Sequence, residues 1–123
     1  MAKKEVVTFP TRGEVYLVDL DPTRGAEIRK TRPALVIQND LVNRHSHLTI
    51  VAAITTSVPS EIPPFKVFVR ASEGGLGHDS VILLNQIRSV DKARLVRRVG
   101  RLKPATMALV DQALMVSLGL VEV

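Results

Sequence analysis

The chain has 123 residues, with 17 basic and 12 acidic side chains, a formal net charge of +5 and an isoelectric point near 10.1. Hydrophobic residues make up 46% of it, enough for one folded core and too many for wholesale disorder. The absence of cysteine excludes disulfides, zinc–thiolate sites and thiol nucleophiles, while the excess of positive charge favours a polyanionic partner.

The start of the chain does not resemble a targeting segment. Two lysines near the N-terminus are followed by no long apolar stretch, and no run approaches the ~18 apolar residues of a membrane span. We therefore expect a cytoplasmic protein without membrane contact. Residues 1–123 are expected to form a single domain, of which residues 1–11 are a flexible start.

Short apolar runs separated by turn residues predict a mainly β protein. Continuous apolar character on both faces is typical of buried strands. The predicted strands cover residues 15–20, 34–38, 48–55, 65–69, 80–84 and 95–102. Asn39-Asp40 and Asp91 are each expected to cap a short helical turn.

One longer helix is predicted near the C-terminus, with Pro104 at its first position and Gly119 just beyond its end. Apolar residues follow helical spacing on one side, and the opposite side is apolar as well. Two explanations of this second face remain open: another subunit covers it, or the helix is sunk in the core of the domain. Together the elements predict a small antiparallel barrel or strongly twisted sheet with a C-terminal helix packed on it.

Residues 22–40, PTRGAEIRKTRPALVIQND, pass from a basic loop directly into an apolar strand. Pro33 favours extended backbone geometry at Arg32, so the planar, permanently charged guanidinium of Arg32 lies where the loop meets the strand. A guanidinium at such a position can bind a phosphate through two parallel hydrogen bonds. The surrounding loop, with Arg24 and Lys30 near the single acid Glu27, is either a phosphate-binding loop or a solvated surface loop.

Other candidate features are weaker. The basic run over residues 88–103 is either a nucleic-acid surface or a charged edge strand that prevents aggregation. Hydroxyls at Thr55, Thr56 and Ser57 end a buried strand, where they usually cap backbone groups. His45 and His47 have no acidic cluster beside them, so no metal site is expected. The glycines of SEGGLGHD precede a strand rather than a helix, which excludes a nucleotide-binding fingerprint.

The segment RGEVYLVDLDPTRGAEIRKTRPALVIQND resembles the opening of MazF/PemK-type toxins, especially the MazF branch typical of Gram-positive bacteria. The similarity continues through VAAIT at 51–55, DSVILLNQIRSVDKARL at 79–95 and ALMVSLGLVEV at the C-terminus. It implies an SH3-like or CcdB-like barrel that works as a homodimer. It also implies a cognate antitoxin (MazE-like) whose extended tail fills the RNA groove, with DNA bound only indirectly through that antitoxin.

The implied activity is metal-independent, sequence-specific cleavage of single-stranded RNA, without a cofactor, to give 2′,3′-cyclic phosphate and 5′-hydroxyl ends. The resemblance assigns the catalytic pair to Arg32 and Thr55. Such cleavage must align the 2′-hydroxyl and stabilise added charge on phosphorus, which a guanidinium and a hydroxyl can both serve. Arginine is a poor base near neutral pH, so Glu27 stays open as a base or as a substrate-orienting acid.

RNA binding is expected of the loop residues Arg24 and Lys30 and of Asn85, Gln86 and Arg88. Asn85 and Gln86 can each donate and accept hydrogen bonds, so they suit the reading of unpaired base edges. Two alternatives are a non-enzymatic, gyrase-binding toxin on the same fold, as CcdB is, and an RNA-binding barrel without activity. The chain has few aromatic residues for base stacking, which disfavours the latter.

Overall fold

A computed structural model of the chain describes residues 9–20 and 31–122. They form six strands, two α-helices and one short 3-10 helix. In chain order these are β1 (Glu14–Asp19), β2 (Thr31–Val36), α1 (Asp40–His45), β3 (Leu48–Thr55), β4 (Lys66–Val69), β5 (Ser80–Asp91), the 3-10 helix (Lys92–Arg94), β6 (Leu95–Arg101) and α2 (Pro104–Ser117). Within the described ranges, no helix is both long and apolar enough to span a bilayer.

The strands form one antiparallel sheet in the order β4-β5-β3-β2-β1-β6. The predicted fold class, a twisted β structure with a C-terminal helix, is confirmed. The sheet differs from a closed barrel in one respect, because the two end strands β4 and β6 do not pair with each other in the described part of the chain. Strand β4 has only four residues, which limits the unpaired backbone at that edge, and β6 carries three arginines along its seven residues.

Apolar side chains cover both faces of the sheet, as the lack of a polar alternation in the sequence predicted. On one face, residues such as Val15, Leu35 and Ile82 pack with Val110 and Ala113 of α2. The other face carries a smaller cluster with these members: Val18, Ala34, Val36, Val51 and Val90. The catalytic candidates lie on this second face, opposite the helix.

Helix α2 begins and ends as its sequence predicted. Pro104 is its first residue, and Gly119 adopts a φ of +74° just beyond its end. Leu120 N–H donates to Met115 O over 2.8 Å and Gly119 N–H donates to Val116 O over 3.1 Å, which closes the helix with a Schellman motif. The helix is not sunk in the domain core, because Leu109 is 57% exposed.

Strand β5 is longer than predicted. We expected a strand over residues 80–84 that the chain then leaves, whereas β5 continues to Asp91. Its pairing with β3 shifts between Ala52 and Ala53, which face Ile87 and Leu83 respectively. Residues 84–86 are therefore extra residues inserted into β5, and we call them the β5 bulge.

The N-terminal segment is packed in the part that the structure describes. The Phe9 ring lies 5.8 Å from the Arg44 guanidinium and 5.5 Å from the Lys92 ammonium, and Pro10 is buried. These contacts tie the start of the chain to α1 and to the 3-10 helix. Residues 1–8 of the predicted flexible start lie outside the described residues.

Candidate active site

Arg32 and Thr55 lie on neighbouring strands at the same end of the sheet. The register of β2 and β3 is Ala34↔Ala53, Leu35↔Ala52 and Val36↔Val51. Continued by two residues, this register places Arg32, the second residue of β2, opposite Thr55, the last residue of β3. Opposed residues of an antiparallel pair project to one face, with Cβ atoms about 5 Å apart. The extended register therefore places these two residues on the same face of the sheet, at the end where β3 stops.

The Thr55 hydroxyl is held as an acceptor and keeps its proton. Ser57 N–H donates to Thr55 Oγ1 over 3.1 Å, so the chain turns tightly around the threonine as β3 ends. A hydroxyl has one hydrogen and two lone pairs, and this contact uses one lone pair. Thr55 can therefore still donate its hydrogen to an incoming oxygen.

The Arg32 side chain is exposed, but it begins beside a buried apolar surface. Val18 is its partner on β1, and Val81 is the partner of Thr55 on β5, and both valines are 0% exposed. Within residues 9–20 and 31–122, no carboxylate forms an ion pair with Arg32. Close to apolar surface, a guanidinium attracts an anion more strongly than it does in open water.

Three candidate RNA-binding residues lie beside this pair on β5. Arg88 is exposed and faces Val51, so it shares a sheet face with Thr55 and lies four residues from it along β3, about 13 Å. Asn85 and Gln86 are exposed in the β5 bulge, next to the Ala52–Ala53 step of β3. All three lie on the strand that pairs with β3, on the side of β3 away from β2.

The other predicted site residues lie outside the described residues: Arg24, Glu27 and Lys30. Among the residues that are described, no group of three or more His, Asp or Glu side chains is arranged to hold a metal ion. The described part of the candidate site therefore comprises a guanidinium, a hydroxyl, two amides and a second guanidinium along β2, β3 and β5.

The sequence did not reveal a second polar cluster, around Glu14. This carboxylate is only 9% exposed, and it accepts Thr11 N–H at Oε1 over 2.8 Å and Arg98 Nε at Oε2 over 2.7 Å. Arg101 Nη2 lies 3.7 Å from the same Oε2. Only knowledge of the β1–β6 pairing could have found it, because Glu14 faces Arg101 and Tyr16 faces Arg98.

Tyr16 belongs to the same cluster. Burial raises the pKa of its phenol above the ordinary value, and the charge of Glu14 and a hydrogen bond to it raise it further, while Arg98 opposes the shift. The phenol therefore remains protonated at neutral pH. Tyr16 on β1 is paired with Ala34, which lies two residues after Arg32 on β2. Tyr16 therefore lies on the same face of the sheet as Arg32.

The basic run over residues 88–103 is partly structural. Arg98 pairs with Glu14, Arg94 Nη1 donates to Asp19 O over 3.0 Å, and Lys92 Nζ donates to Asn43 O. These cations hold elements together, so the run is not simply a surface for nucleic acid. Arg88 and Arg97 are both exposed, on β5 and on the edge strand β6 respectively.

The chain is similar to known toxins over nearly its whole length. A model of the PemK-like, MazF-like toxins of type II toxin–antitoxin systems matches residues 11–118. Endoribonuclease EndoA of Bacillus subtilis (strain 168) is 47% identical over 111 residues, which covers 90% of this chain and 96% of EndoA. Endoribonuclease MazF of Staphylococcus epidermidis is 46% identical over 109 residues, which covers 89% of this chain and 91% of that protein.

A solved structure of a relative has a similar fold. An endoribonuclease from mycobacterial species, in complex with its cognate antitoxin, has a TM-score of 0.75 and 26% identity, over 93% of this chain and 99% of that one. The resemblance seen in the sequence is confirmed, and these relatives favour RNA cleavage and give no support to the gyrase-binding alternative. The chain belongs to the PemK-like, MazF-like toxins of type II toxin–antitoxin systems, among relatives that are endoribonucleases.

Proposed function

We propose that this chain cuts single-stranded mRNA at specific sequences, with Arg32 and Thr55 as its catalytic residues, and so inhibits translation and growth. The observation that carries the proposal is the β2–β3 register from Ala34↔Ala53 to Val36↔Val51, which, extended by two residues, puts Arg32 opposite Thr55. A guanidinium and a hydroxyl on two neighbouring strands can together donate hydrogen bonds to one phosphate.

The reaction is an internal transesterification. The 2′-oxygen forms a bond to phosphorus, the bond from phosphorus to the 5′-oxygen breaks, and the products are a 2′,3′-cyclic phosphate and a 5′-hydroxyl. Negative charge builds on the non-bridging oxygens in the transition state, where Arg32 can donate two hydrogen bonds and Thr55 one. No metal takes part in this scheme, in agreement with the sequence resemblance.

Two protons must move, one from the 2′-hydroxyl and one to the leaving 5′-oxygen. Arg32 holds its proton too tightly to be an efficient base near neutral pH. Glu27 is the remaining candidate, as the base or as an acid that orients the substrate. Alignment and charge stabilisation by Arg32 and Thr55 supply much of the rate in either case.

Recognition of the RNA falls to residues beside the catalytic pair. We assign base reading to Asn85 and Gln86, whose exposed amides can both donate and accept hydrogen bonds. Arg88, together with Arg24 and Lys30 of the preceding loop, contacts phosphates and holds the strand in register. The formal charge of +5 supports attraction of RNA over a longer range.

The partners follow from the family. The mycobacterial relative is in complex with its cognate antitoxin, and we propose that this chain also binds an antitoxin, which blocks the RNA groove. We propose further that the chain works in the cytoplasm as a homodimer. Exposed leucines on α2 and just beyond its end, Leu109 at 57% and Leu118 at 55%, support an additional contact in this region.

The test is cleavage of a long RNA by the purified full-length protein in EDTA, with sequencing of the new 5′ ends. We expect discrete cuts bearing 5′-hydroxyl groups. Arg32→Ala is expected to lower kcat/KM by roughly 10²–10³-fold, because it removes the main donors to the developing charge. Thr55→Val is expected to lower it by roughly 10–100-fold, because one hydrogen bond to a charged group is lost.

Matched controls are available on the same chain. Thr56→Val changes an exposed hydroxyl one residue further along, and Arg97→Ala removes an exposed cation from the edge strand. Both are expected to retain cleavage within about threefold of wild type, since neither touches the phosphate. RNA that stays intact with a monodisperse, folded wild-type dimer would refute the proposed function. Trapped gyrase–DNA complexes would support the gyrase-binding alternative instead.

A further inference from the structure

The β5 bulge is held by contacts that do not come from its partner strand. Ala52 pairs with Ile87, and the next residue of β3, Ala53, pairs with Leu83. Residues 84–86 of β5 therefore have no partner on β3. Leu84 N–H instead donates to Phe65 O over 3.2 Å, just before β4 begins. The Leu84 side chain is 0% exposed and belongs to the core beneath α2.

The carbonyl of Leu84 is anchored by the last residue of α2. Ser117 Oγ donates to Leu84 O over 2.7 Å, across 33 residues of sequence. Serines near a helix end usually donate to a carbonyl one turn earlier in their own helix. Here the hydroxyl leaves its helix and reaches the sheet, so the contact connects α2 to the bulge.

This carbonyl belongs to the peptide plane that joins Leu84 to Asn85. A peptide unit is planar, so fixing its oxygen fixes the direction in which the following residue leaves the chain. Asn85 and Gln86 are exposed and follow directly. They face the Ala52–Ala53 step of β3, and Ala53 precedes Thr55 by two residues, about 7 Å.

We propose that Ser117 is a positioning residue for RNA recognition: its hydroxyl fixes the Leu84–Asn85 peptide so that the Asn85 and Gln86 amides meet a base beside the scissile phosphate. The inference rests on the proposed function and assigns part of its sequence preference to a residue remote from the RNA. Loss of the hydroxyl frees the Leu84 carbonyl to turn, and the amides then no longer hold one orientation.

The experiment compares variants of the full-length protein on one long RNA in EDTA, with relative cut frequencies read from mapped 5′ ends. Ser117→Ala is expected to reduce discrimination at the position read by the bulge by about tenfold, while kcat at the best site changes less than about threefold. Asn85→Ala is expected to change the cut pattern in the same direction. The double variant should add little, because both changes break one pathway.

The matched control is Ser80→Ala. Ser80 is also a serine whose hydroxyl donates to a backbone carbonyl, His78 O at 2.9 Å, but it begins β5 and lies opposite Val69, away from the bulge. Its loss is expected to lower stability without altering the cut pattern. Ser117→Thr and Ser117→Val form a second pair of nearly equal volume, of which only the threonine keeps the hydroxyl and the wild-type pattern.

The outcomes separate the two proposals. Unchanged cut frequencies in folded Ser117→Ala or Ser117→Val overturn the positioning role while leaving RNA cleavage intact. An equal change of pattern in Ser80→Ala also overturns it, because the effect is then one of general stability. RNA left intact by the wild-type protein overturns the proposed function itself, and the positioning role with it.

Discussion

Arg98 Nε donates to Glu14 Oε2 over 2.7 Å, and this contact joins the edge strand β6 to a carboxylate that is almost buried. The arginine side chain is 51% exposed and that of the glutamate 12%. Arg98→Ala should lower the free energy of unfolding by about 1 kcal/mol, because water can replace only part of the lost contact and Thr11 N–H still binds Glu14. Urea denaturation measures the change.

The neighbouring arginine is the control for this pair. Arg97 is exposed and faces Leu17 on β1, where it has no carboxylate opposite. Arg97→Ala should leave the free energy of unfolding within about 0.5 kcal/mol of wild type. Equal losses in both variants would show that Glu14 does not distinguish the two arginines and that the effect reflects the charge of the edge strand.

Titration of Tyr16 can be followed directly, since it is the only tyrosine and the chain has no tryptophan. Tyrosinate absorbance in the near ultraviolet should give a pKa above about 10, owing to burial and to Glu14. Glu14→Gln should lower this pKa, because it removes a negative charge, and Arg98→Ala should raise it. A midpoint unaffected by either substitution would contradict the proposed surroundings of the phenol.

The same shift links stability to pH. The folded state keeps the Tyr16 proton to higher pH than the unfolded chain, whose phenol titrates near pH 10. The free energy of unfolding therefore has its full Tyr16 contribution below about pH 10 and declines as pH rises through the folded pKa. Tyr16→Phe should flatten this part of the profile, as measured by chemical denaturation on both sides of pH 10.

Asn43 has a fully buried side chain whose oxygen and nitrogen both form hydrogen bonds. Its Oδ1 accepts Gln38 Nε2 and Thr49 Oγ1, each over 2.7 Å, and its Nδ2 donates to Gln38 O over 3.0 Å. Asn43→Ala should lower the free energy of unfolding by roughly 2–4 kcal/mol, because Thr49 loses its acceptor in a buried position. Asn39→Ala, which removes only the exposed cap of α1, should cost about 1 kcal/mol. Similar losses for both in a denaturation series would contradict this ranking.

Two glycines in the turn before β5 allow a matched test of packing. Gly75 has a φ of +73° and Gly77 a φ of +80°, so alanine is strained at both. Only at Gly75 does an added Cβ meet a neighbour, the carbonyl oxygen of Val99, at 2.3 Å. Gly75→Ala should thus lower the free energy of unfolding by about 1–3 kcal/mol more than Gly77→Ala does. Thermal denaturation should show this difference as a lower midpoint for Gly75→Ala. Equal losses would mean that backbone strain alone determines the cost.

Features of the fold that depend on neighbouring residues, such as helix ends and caps, could be predicted from the sequence. Pro104 and Gly119 mark the ends of α2, and Asn39 and Asp91 cap the turns that follow them, all by short-range hydrogen bonds. The placement of Arg32 at a strand entry also followed from one dipeptide. The expected strand over residues 80–84 was too short because Asn85 and Gln86 look like an exit, whereas a bulge accommodates them.

Contacts between distant strands could not be predicted in the same way. Glu14 appears in the sequence as an acid at the start of a strand, and only pairing with β6, more than 80 residues later, reveals why it can be buried. The link from Ser117 to Leu84 is hidden for the same reason. By contrast, the relation of Arg32 to Thr55 was suggested by family resemblance and stays a prediction, with which an extension of the β2–β3 register agrees.

The bulge in β5 has a consequence for how such a toxin can diversify. The register of β3 on β2 is uninterrupted, while the irregularity falls on the other side of β3, against β5. Substitutions at Asn85 or Gln86 can therefore change the surface of the bulge without shifting the strands that carry Arg32 and Thr55. Under the function proposed above, a lineage can thus retarget the toxin to new transcripts and keep its cutting chemistry unchanged.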